Sequence, residues 1–322
     1  MKLSLSSDGA TPPADLTQLA LAADECGLAR YWMASHLFQR EPIVNSTMAL
    51  QQTRRLGIAL MAMSPYTVHP VYATMAAAAL DEWFPGRVVL CFGTGSPRDL
   101  ESISMQAARP LQTMRETIEI ARRLLDGGNV TYAGQCFTIA GRTLSARPHD
   151  IPIMVAASGP RMLELAGAQA DGVLISAGTS PQFIARALDH VRAGEARGGR
   201  TVYKSALVYT AVAPDGDEAR QQVRRALAFV LRGEHHRENL ACAGSTLDQN
   251  ALREAYAAGD WARVDDLIDD RIIANHAAAG TAREVRTAID AYRDIGLDEL
   301  VLSSLRFPDE LRQIIAPPAP AA

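Results

Sequence analysis

The chain reads as an α/β protein, a (β/α)8 TIM barrel, on three observations. Short apolar strands alternate with amphipathic helices along nearly all of the 322 residues. The strands are continuous apolar runs such as "GIALMAM" and "RVVLCFG", the pattern of parallel strands covered on both faces. Eight runs of this kind can be counted, and the Gly-x-Gly-x-x-Gly turn that two Rossmann-like halves would place near the first strand is missing.

Taken in order, Lys2 to Ser6 forms the first strand. Leu16, Leu19, Ala20 and Ala23 then share one helical face, and Gly27 stops that helix. "RYWMAS" is the second strand and Gly57 to Met63 the third. Pro70 introduces an alanine-rich helix over Val71 to Trp83, its preset φ suiting a first turn. "RVVLCFG" is the fourth strand; Met114, Ile118, Ala121 and Leu125 stripe the next helix, which closes at Gly127-Gly128. "NVTYAGQCFTIAG" is a short hairpin around Ala133-Gly134, inserted before strand five.

"PIMVAA", "GVLIS" and "KSALVYTAVA" are strands five, six and seven, with Phe183, Ile184, Ala187, Leu188 and Val191 striping the helix between the last two. From about Asp217 to Ala279 no strand is expected, only helical material, with an insertion between strands seven and eight at about residues 232–280. Thr281 and Glu284 form a capping box that opens the following helix, and "ELVLSS" is strand eight. One domain is expected over residues 1–315, followed by a disordered Pro/Ala tail at 316–322.

Composition narrows the function. The chain is 48% hydrophobic, enough for a large core, and carries a net charge of −4 with its Lys and Arg spread along the length. That distribution offers no footprint for nucleic acid or an acidic membrane. No run reaches the ~18 apolar residues of a membrane span, and the opening "MKLSLSSDGATPPADL" lacks the apolar core of a secretory signal. Cys26, Cys91, Cys136 and Cys242 are far apart with no Cys-x-x-Cys pair, so neither a zinc site nor a disulfide framework is expected. A cytoplasmic protein without a metal is the expectation.

In such a barrel, chemistry sits at the carboxyl ends of the strands. Those ends are Ser6-Ser7, Ser35-His36, Met63-Ser64, Gly93-Thr94-Gly95, Ser158-Gly159, Ser176 to Gly178 and Ser303-Ser304. A metal-dependent hydrolase would place several His or Asp there, yet only His36 is present; a glycosidase would need two facing carboxylates, and none are found. The rim suits a large planar or phosphorylated molecule held by backbone and hydroxyl groups.

The turn in "IPIMVAASGPRMLELAG" is the sharpest signal. Gly159 lets the backbone approach a ligand, Pro160 starts a helix whose first amides face outward, and Arg161 adds a cation. The same residues also suit an ordinary strand-to-helix turn. "GTGSP", Gly93 to Pro97, repeats the signal more weakly. His36 can donate a proton or hydrogen bond to a bound ring, or be structural. His69 reads as a cap or packing residue, His235-His236 as a solvated pair or a pocket wall, and Trp32, Trp83 and Trp261 as core or packing residues.

Three long segments, "YWMASHL", "MSPYTVHPVYATMAAAALDEWFPGRVVLCFGTGSP" and "IPIMVAASGPRMLELAGAQADGVLISAG", together resemble the bacterial-luciferase-like superfamily, in the branch of the methylenetetrahydromethanopterin reductases. The likeness runs from about Lys2 to Leu305 in order and spacing. It implies reduced FMN or F420 at the strand carboxyl ends, a small-molecule substrate, a homodimer, and reduced cofactor supplied by a separate flavin or F420 reductase. Ala157, Ser158, Gly159, Pro160 and Arg161 would receive the cofactor phosphate, and Gly93, Thr94 and Gly95 would flank the ribityl chain. Met61, Ala62 and Met63 match a bulged third strand where a non-proline cis peptide, at or beside Met61–Ala62, backs the ring. His36 would be catalytic at the reactive edge, with Ser6, Ser35 and Ser64 shaping the surroundings, and the Leu37–Ile43 loop and the insertion would close over substrate. Many relatives carry Ser-Asp-His where this chain has Ala34-Ser35-His36, and serine cannot hold the aspartate's charge. Hydride transfer or monooxygenation is the implied reaction, with a non-catalytic flavin-binding relative as the alternative.

Overall fold

The alternation closes into a barrel. A computed structural model describes residues 1–315 apart from 147, 149 and 177, so the expected tail lies outside the described residues. In chain order the first half contains β1 (Lys2–Ser7), α1 (Pro13–Glu25), β2 (Arg30–Ala34), α2 (Pro42–Gln52), β3 (Gly57–Met63), α3 (Pro70–Trp83), β4 (Val88–Phe92), α4 (Pro97–Ser102) and α5 (Pro110–Leu125). Next come the hairpin strands β5 (Val130–Ala133) and β6 (Thr138–Arg142), then β7 (Ile153–Ala157), α6 (Pro160–Gln169), β8 (Gly172–Ile175), α7 (Pro181–Gly198) and β9 (Tyr203–Val212). The chain continues through α8 (Gly216–Leu231), α9 (Arg237–Cys242), α10 (Gln249–Ala258), α11 (Trp261–Leu267), α12 (Asp270–His276), β10 (Ala277–Gly280), α13 (Ala282–Asp290), β11 (Glu299–Ser303) and α14 (Pro308–Ile315).

Strands β11, β1, β2, β3, β4, β7, β8 and β9 pair side by side in parallel, and β9 pairs with both β8 and β11 to close the ring. Parallel pairing needs a crossover after each strand, which the helices supply. Side chains alternate across each strand. One set, including Leu5, Tyr31, Ile58, Leu90 and Val155, packs outward against the helices. The other, including Trp32, Ala59, Val89, Met154, Leu174 and Val301, fills the barrel. Helices α8 to α12 form a layer with its own core of Leu227, Leu252, Val264 and Ile268, each buried. Burial of such side chains contributes roughly 1.5–3 kcal/mol apiece, which makes the insertion a packed unit.

The amino end of the barrel is plugged by polar groups. Glu299, fully buried, accepts from Arg30 Nη1 at 2.6 Å, Trp32 Nε1 at 3.0 Å and Ser205 Oγ at 3.2 Å, and also from the Ser4 hydroxyl. The carboxylate is thus paired and hydrogen-bonded, as a buried charge must be.

The structure departs from expectation at a few places. Ala277–Gly280 is a strand, pairing with Tyr209–Val212, where only helix was expected. Its "AAAG" run is too short and too rich in alanine to announce itself. Trp83 is 81% exposed rather than core, whereas Trp261 packs edge-on against Tyr256 with ring centroids 5.3 Å apart, as a packing residue should. His236 is buried, not solvated. The hairpin, the capping box and the His69 cap, which accepts from Val71 N at 3.2 Å, are as expected.

Candidate active site

Three adjacent strand ends make a shelf. A Cβ built on Gly93, just past β4, would lie 2.8 Å from Ala62 Cβ on β3 and 3.5 Å from Ala156 Cβ on β7. No larger residue fits there, and partly exposed Ala62 and Ala156 open the shelf to the mouth. The pairing of β3 with β4 slips between Leu60 and Met63, the expected bulge, and the Met61–Ala62 peptide is cis. Met61 belongs to the barrel interior, whereas Met63 and Ala157 pack into the outer core and offer the mouth only backbone.

Neighbouring strand ends are tied to this shelf. Ser35 N donates to Met61 O at 2.6 Å. Buried Ser64 donates its hydroxyl to Thr94 O at 3.1 Å, so it joins β3 to β4 rather than pointing into the mouth. Gly95 turns beside it with φ +82°, a left-handed conformation that suits glycine, and a Cβ there would press on Ser64 Oγ at 3.1 Å. Ser6 is buried, in register with Trp32 and Ser303.

The third of these strands, β7, runs directly into the Ser158-Gly159-Pro160 turn. Helix α6 begins at Pro160 with Gly159 as its N-cap, and no side chain caps it. By contrast, Ser180 caps α7 through Phe183 N and Thr281 caps α13. A Cβ on Gly159 would meet nothing within 4 Å, so the space beside the turn is open, while Met162 N and Leu163 N already donate to Gly159 O at 3.1 and 3.0 Å. Ser158 is half-buried and Arg161 exposed in the first turn. A helix start left bare in this way favours an anion through its dipole and unpaired N–H groups.

His36 follows β2, the strand beside β3. Its Nδ1 lies 3.8 Å from Asp99 Oδ2, with side chains 48% and 31% exposed. Asp99 lies in the first turn of α4 behind the Ser96 cap, and nothing in its distance along the chain pointed to the pair. Tyr209 was also missed, though the alternation of β9 could have found it. Tyr203 and Leu207 belong to the barrel interior and Ser205 reaches Glu299; Tyr209 continues that alternation and packs, partly buried, against the core of the insertion. Burial, then the charge of Asp8, pushes its phenol up to about 12, so it stays a donor at ordinary pH.

Among the described residues no cluster of His, Cys, Asp or Glu could hold a metal, and no helix is long and apolar enough to cross a membrane. The closed barrel thus carries a flat shelf and an uncapped helix start at its carboxyl end. Residues 2–299 match the Luciferase-like monooxygenase family, and the chain belongs to it. It is 31% identical over 299 residues to a 5,10-methylenetetrahydromethanopterin reductase of Archaeoglobus fulgidus, covering 91% of this chain and 90% of that one. The fold is similar to that of a coenzyme F420 dependent tetrahydromethanopterin reductase from Methanopyrus kandleri, with TM-score 0.89, 23% identity and coverage of 98% and 96%. It is also similar to the FMN-bound oxygenating component of a Pseudomonas putida diketocamphane monooxygenase, with TM-score 0.72, 16% identity and coverage of 98% and 94%.

Proposed function

We propose that the chain is an oxidoreductase whose reduced cofactor, F420 or FMN, lies across Ala62, Gly93 and Ala156 with its phosphate at the open start of α6. The shelf carries this reading. Three adjacent strand ends with no side chain beyond Cβ leave a flat apolar floor, one that a single added methyl at Gly93 would spoil. The space in front of Gly159 fits a phosphate equally well. The reductases of Archaeoglobus and Methanopyrus favour F420 and a reduced pterin as the first substrate class to try. The Pseudomonas oxygenase keeps FMN in contention.

When bound, the cofactor supplies the redox chemistry: hydride transfer with a small organic substrate for F420, and oxygen activation besides for FMN. The chain's own residues bind and orient. The amides of α6 and Arg161 hold the phosphate, Gly93 to Gly95 line the ribityl chain through backbone, and Met61 supports the ring from inside the barrel. His36 faces the ring edge, where it holds or moves a proton. Serine at position 35 cannot supply a carboxylate, and Asp99 brings one to His36 from another strand end. Tyr209 donates a hydrogen bond to substrate. The Leu37–Ile43 loop and the insertion close the mouth.

Fluorescence titration with FMN and F420, followed by a single turnover of the bound reduced cofactor with a pterin acceptor or oxygen, tests the reading. Tight binding of one and its reoxidation by an acceptor are expected. Binding of neither ends the site assignment, and binding without reoxidation favours the non-catalytic alternative.

A second copy of the chain fits the outer face of α2 and α3. These helices frame a groove of about 490 Å³ lined by Ile43, Thr47, Met75 and Phe84 among others. Tyr72 and Trp83 beside it are 58% and 81% exposed. Such a face is expected to be covered in a symmetric homodimer. Sedimentation should give a dimer for the native chain and a monomer for Trp83→Glu; a native monomer at micromolar concentration refutes it.

A further inference from the structure

A cluster of buried polar side chains outside the shelf sits where the insertion meets the barrel. The carbonyl of Gly178, in the loop between β8 and α7, accepts from Asn239 Nδ2 of α9 at 2.7 Å, and His276 Nδ1 of α12 lies 3.1 Å away. Asn239 Oδ1 accepts from Ser180 N at 2.9 Å, so one side chain grips the loop at two residues. The second hydrogen of its amide faces His236 Nδ1 at 3.3 Å. The other nitrogen of His276, Nε2, lies 3.0 Å from Ser245 Oγ. Asn239, His236 and His276 are 1%, 3% and 0% exposed. Apolar contact closes the same loop, since a Cβ on Gly178 would lie 3.1 Å from Val230 Cγ1 at the end of α8.

These partners dictate tautomers. A carbonyl only accepts, so His276 carries its proton on Nδ1, and its Nε2 accepts from the Ser245 hydroxyl. An amide NH2 only donates, so His236 presents a lone pair at Nδ1 and carries its proton on Nε2. The two rings hold opposite tautomers. A second proton on His236 sets N–H against N–H. One on His276 forces Ser245, which already accepts from Asn275 Nδ2 at 3.0 Å, to turn its hydroxyl away.

We propose that Asn239, His236 and His276 are positioning residues that latch the insertion onto the β8–α7 loop and so hold the rim beside the bare start of α6 in its ligand-binding shape. The strands β7 and β8 are neighbours in the barrel, which puts this loop next to the turn that opens α6. The proposal rests on reading that rim as the cofactor seat.

The latch is sensitive to acid. Desolvation, partly offset by the bond to Gly178, pushes the His276 imidazole down to about 4. Desolvation, then His235 and His276, pushes His236 down to about 3. Arg237 of α9 and Arg271 of α12 are exposed, and other charges on the surrounding elements are engaged elsewhere. Arg186 of α7 pairs with Glu238 of α9 at 2.7 Å, and Glu234 lies 3.7 Å from Arg253 of α10. Asp248 caps α10, and Arg232 at the end of α8 covers the rings of Phe229 and Tyr256. The ring of His235 lies 4.3 Å from that of His236. Because the latched values lie below the ordinary 6.5, the latch is fully effective above that pH and weakens as pH falls toward about 4. Between pH 7 and pH 5, His276 alone disfavours the latched state roughly twenty-fold.

Three measurements on the full chain test this. Imidazole ¹⁵N spectra at pH 7.5 should report Nδ1–H for His276 and Nε2–H for His236; the same tautomer on both overturns the latch. Hydrogen exchange, corrected for intrinsic rates, should show the Ser180 amide losing protection at pH 5 and regaining it at pH 7.5; unchanged protection overturns it too. Titration with F420 or FMN should show affinity falling about fivefold or more over that range. The fall should be smaller in His276→Gln, which keeps a donor to Gly178 but does not titrate, so the titrations of cofactor and His36 cancel in the comparison. If exchange responds and affinity falls equally in both proteins, the loop is latched but does not shape the rim, and the positioning role is refuted while the cofactor seat stands. If neither cofactor binds at any pH, the seat fails and the positioning role fails with it.

Discussion

The two ends of the barrel are built on opposite rules. At the amino end the buried polar groups are paired inside the protein: Glu299 accepts from four side chains, and Arg30 also lies over the Tyr203 ring at 5.0 Å. At the carboxyl end groups are left short of partners. The start of α6 is uncapped, Gly93 leaves a floor without side chains, and His36 reaches its carboxylate only at 3.8 Å. Saturation makes the first end a structural plug. Incompletion leaves the second end open to solvent, where a ligand could replace water at the unpaired groups.

Glu299→Ala should have the largest effect. It leaves Arg30 buried without its carboxylate and should cost about 3–5 kcal/mol in denaturant unfolding. Any folded protein should bind cofactor as the native chain does, and a selective loss of affinity would show that the two ends are not independent. Gly159→Asp should act oppositely on the two quantities. The new carboxylate caps α6 without a clash and stabilises by roughly 0.5–1 kcal/mol, while repelling the phosphate and lowering cofactor affinity about tenfold. Unchanged affinity would mean that the anion sits elsewhere. Asp99→Asn should have the smallest effect. Both partners are well exposed, so turnover should fall about two- to fivefold and stability hardly at all. A change in the pH–rate profile would place the pair in the proton path; an unchanged rate and profile would remove Asp99 from it.

Legibility follows the range of the interactions. The barrel was readable because strand and helix periodicities are local, and each run such as Gly57–Met63 states its own burial. The turn that opens α6 was readable for the same reason: Gly159 and Pro160 are adjacent. The resemblance of three long segments supplied the Met61–Ala62 cis peptide, which periodicity alone would not have suggested. Asp99 could not be read, since its meeting with His36 depends on how two different loops fold over the rim. The burial of His236 was hidden too, because a His-His pair on a polar helical stretch looks solvated until α12 packs against it.

By itself, the sequence determined the order of strands and helices, the insertion after the seventh barrel strand, and a rim poor in charge, since each is encoded in the spacing of neighbouring residues. Only the tertiary structure decided which of those rim residues face the mouth. It turned Met63 and Ala157 to the helices, brought Asp99 to His36 and Tyr209 against the insertion, and clamped Gly178 from two helices of that insertion. The physical reason is ring closure: facing and contact across the mouth are set by strand register and by how distant loops pack, and no local pattern carries either.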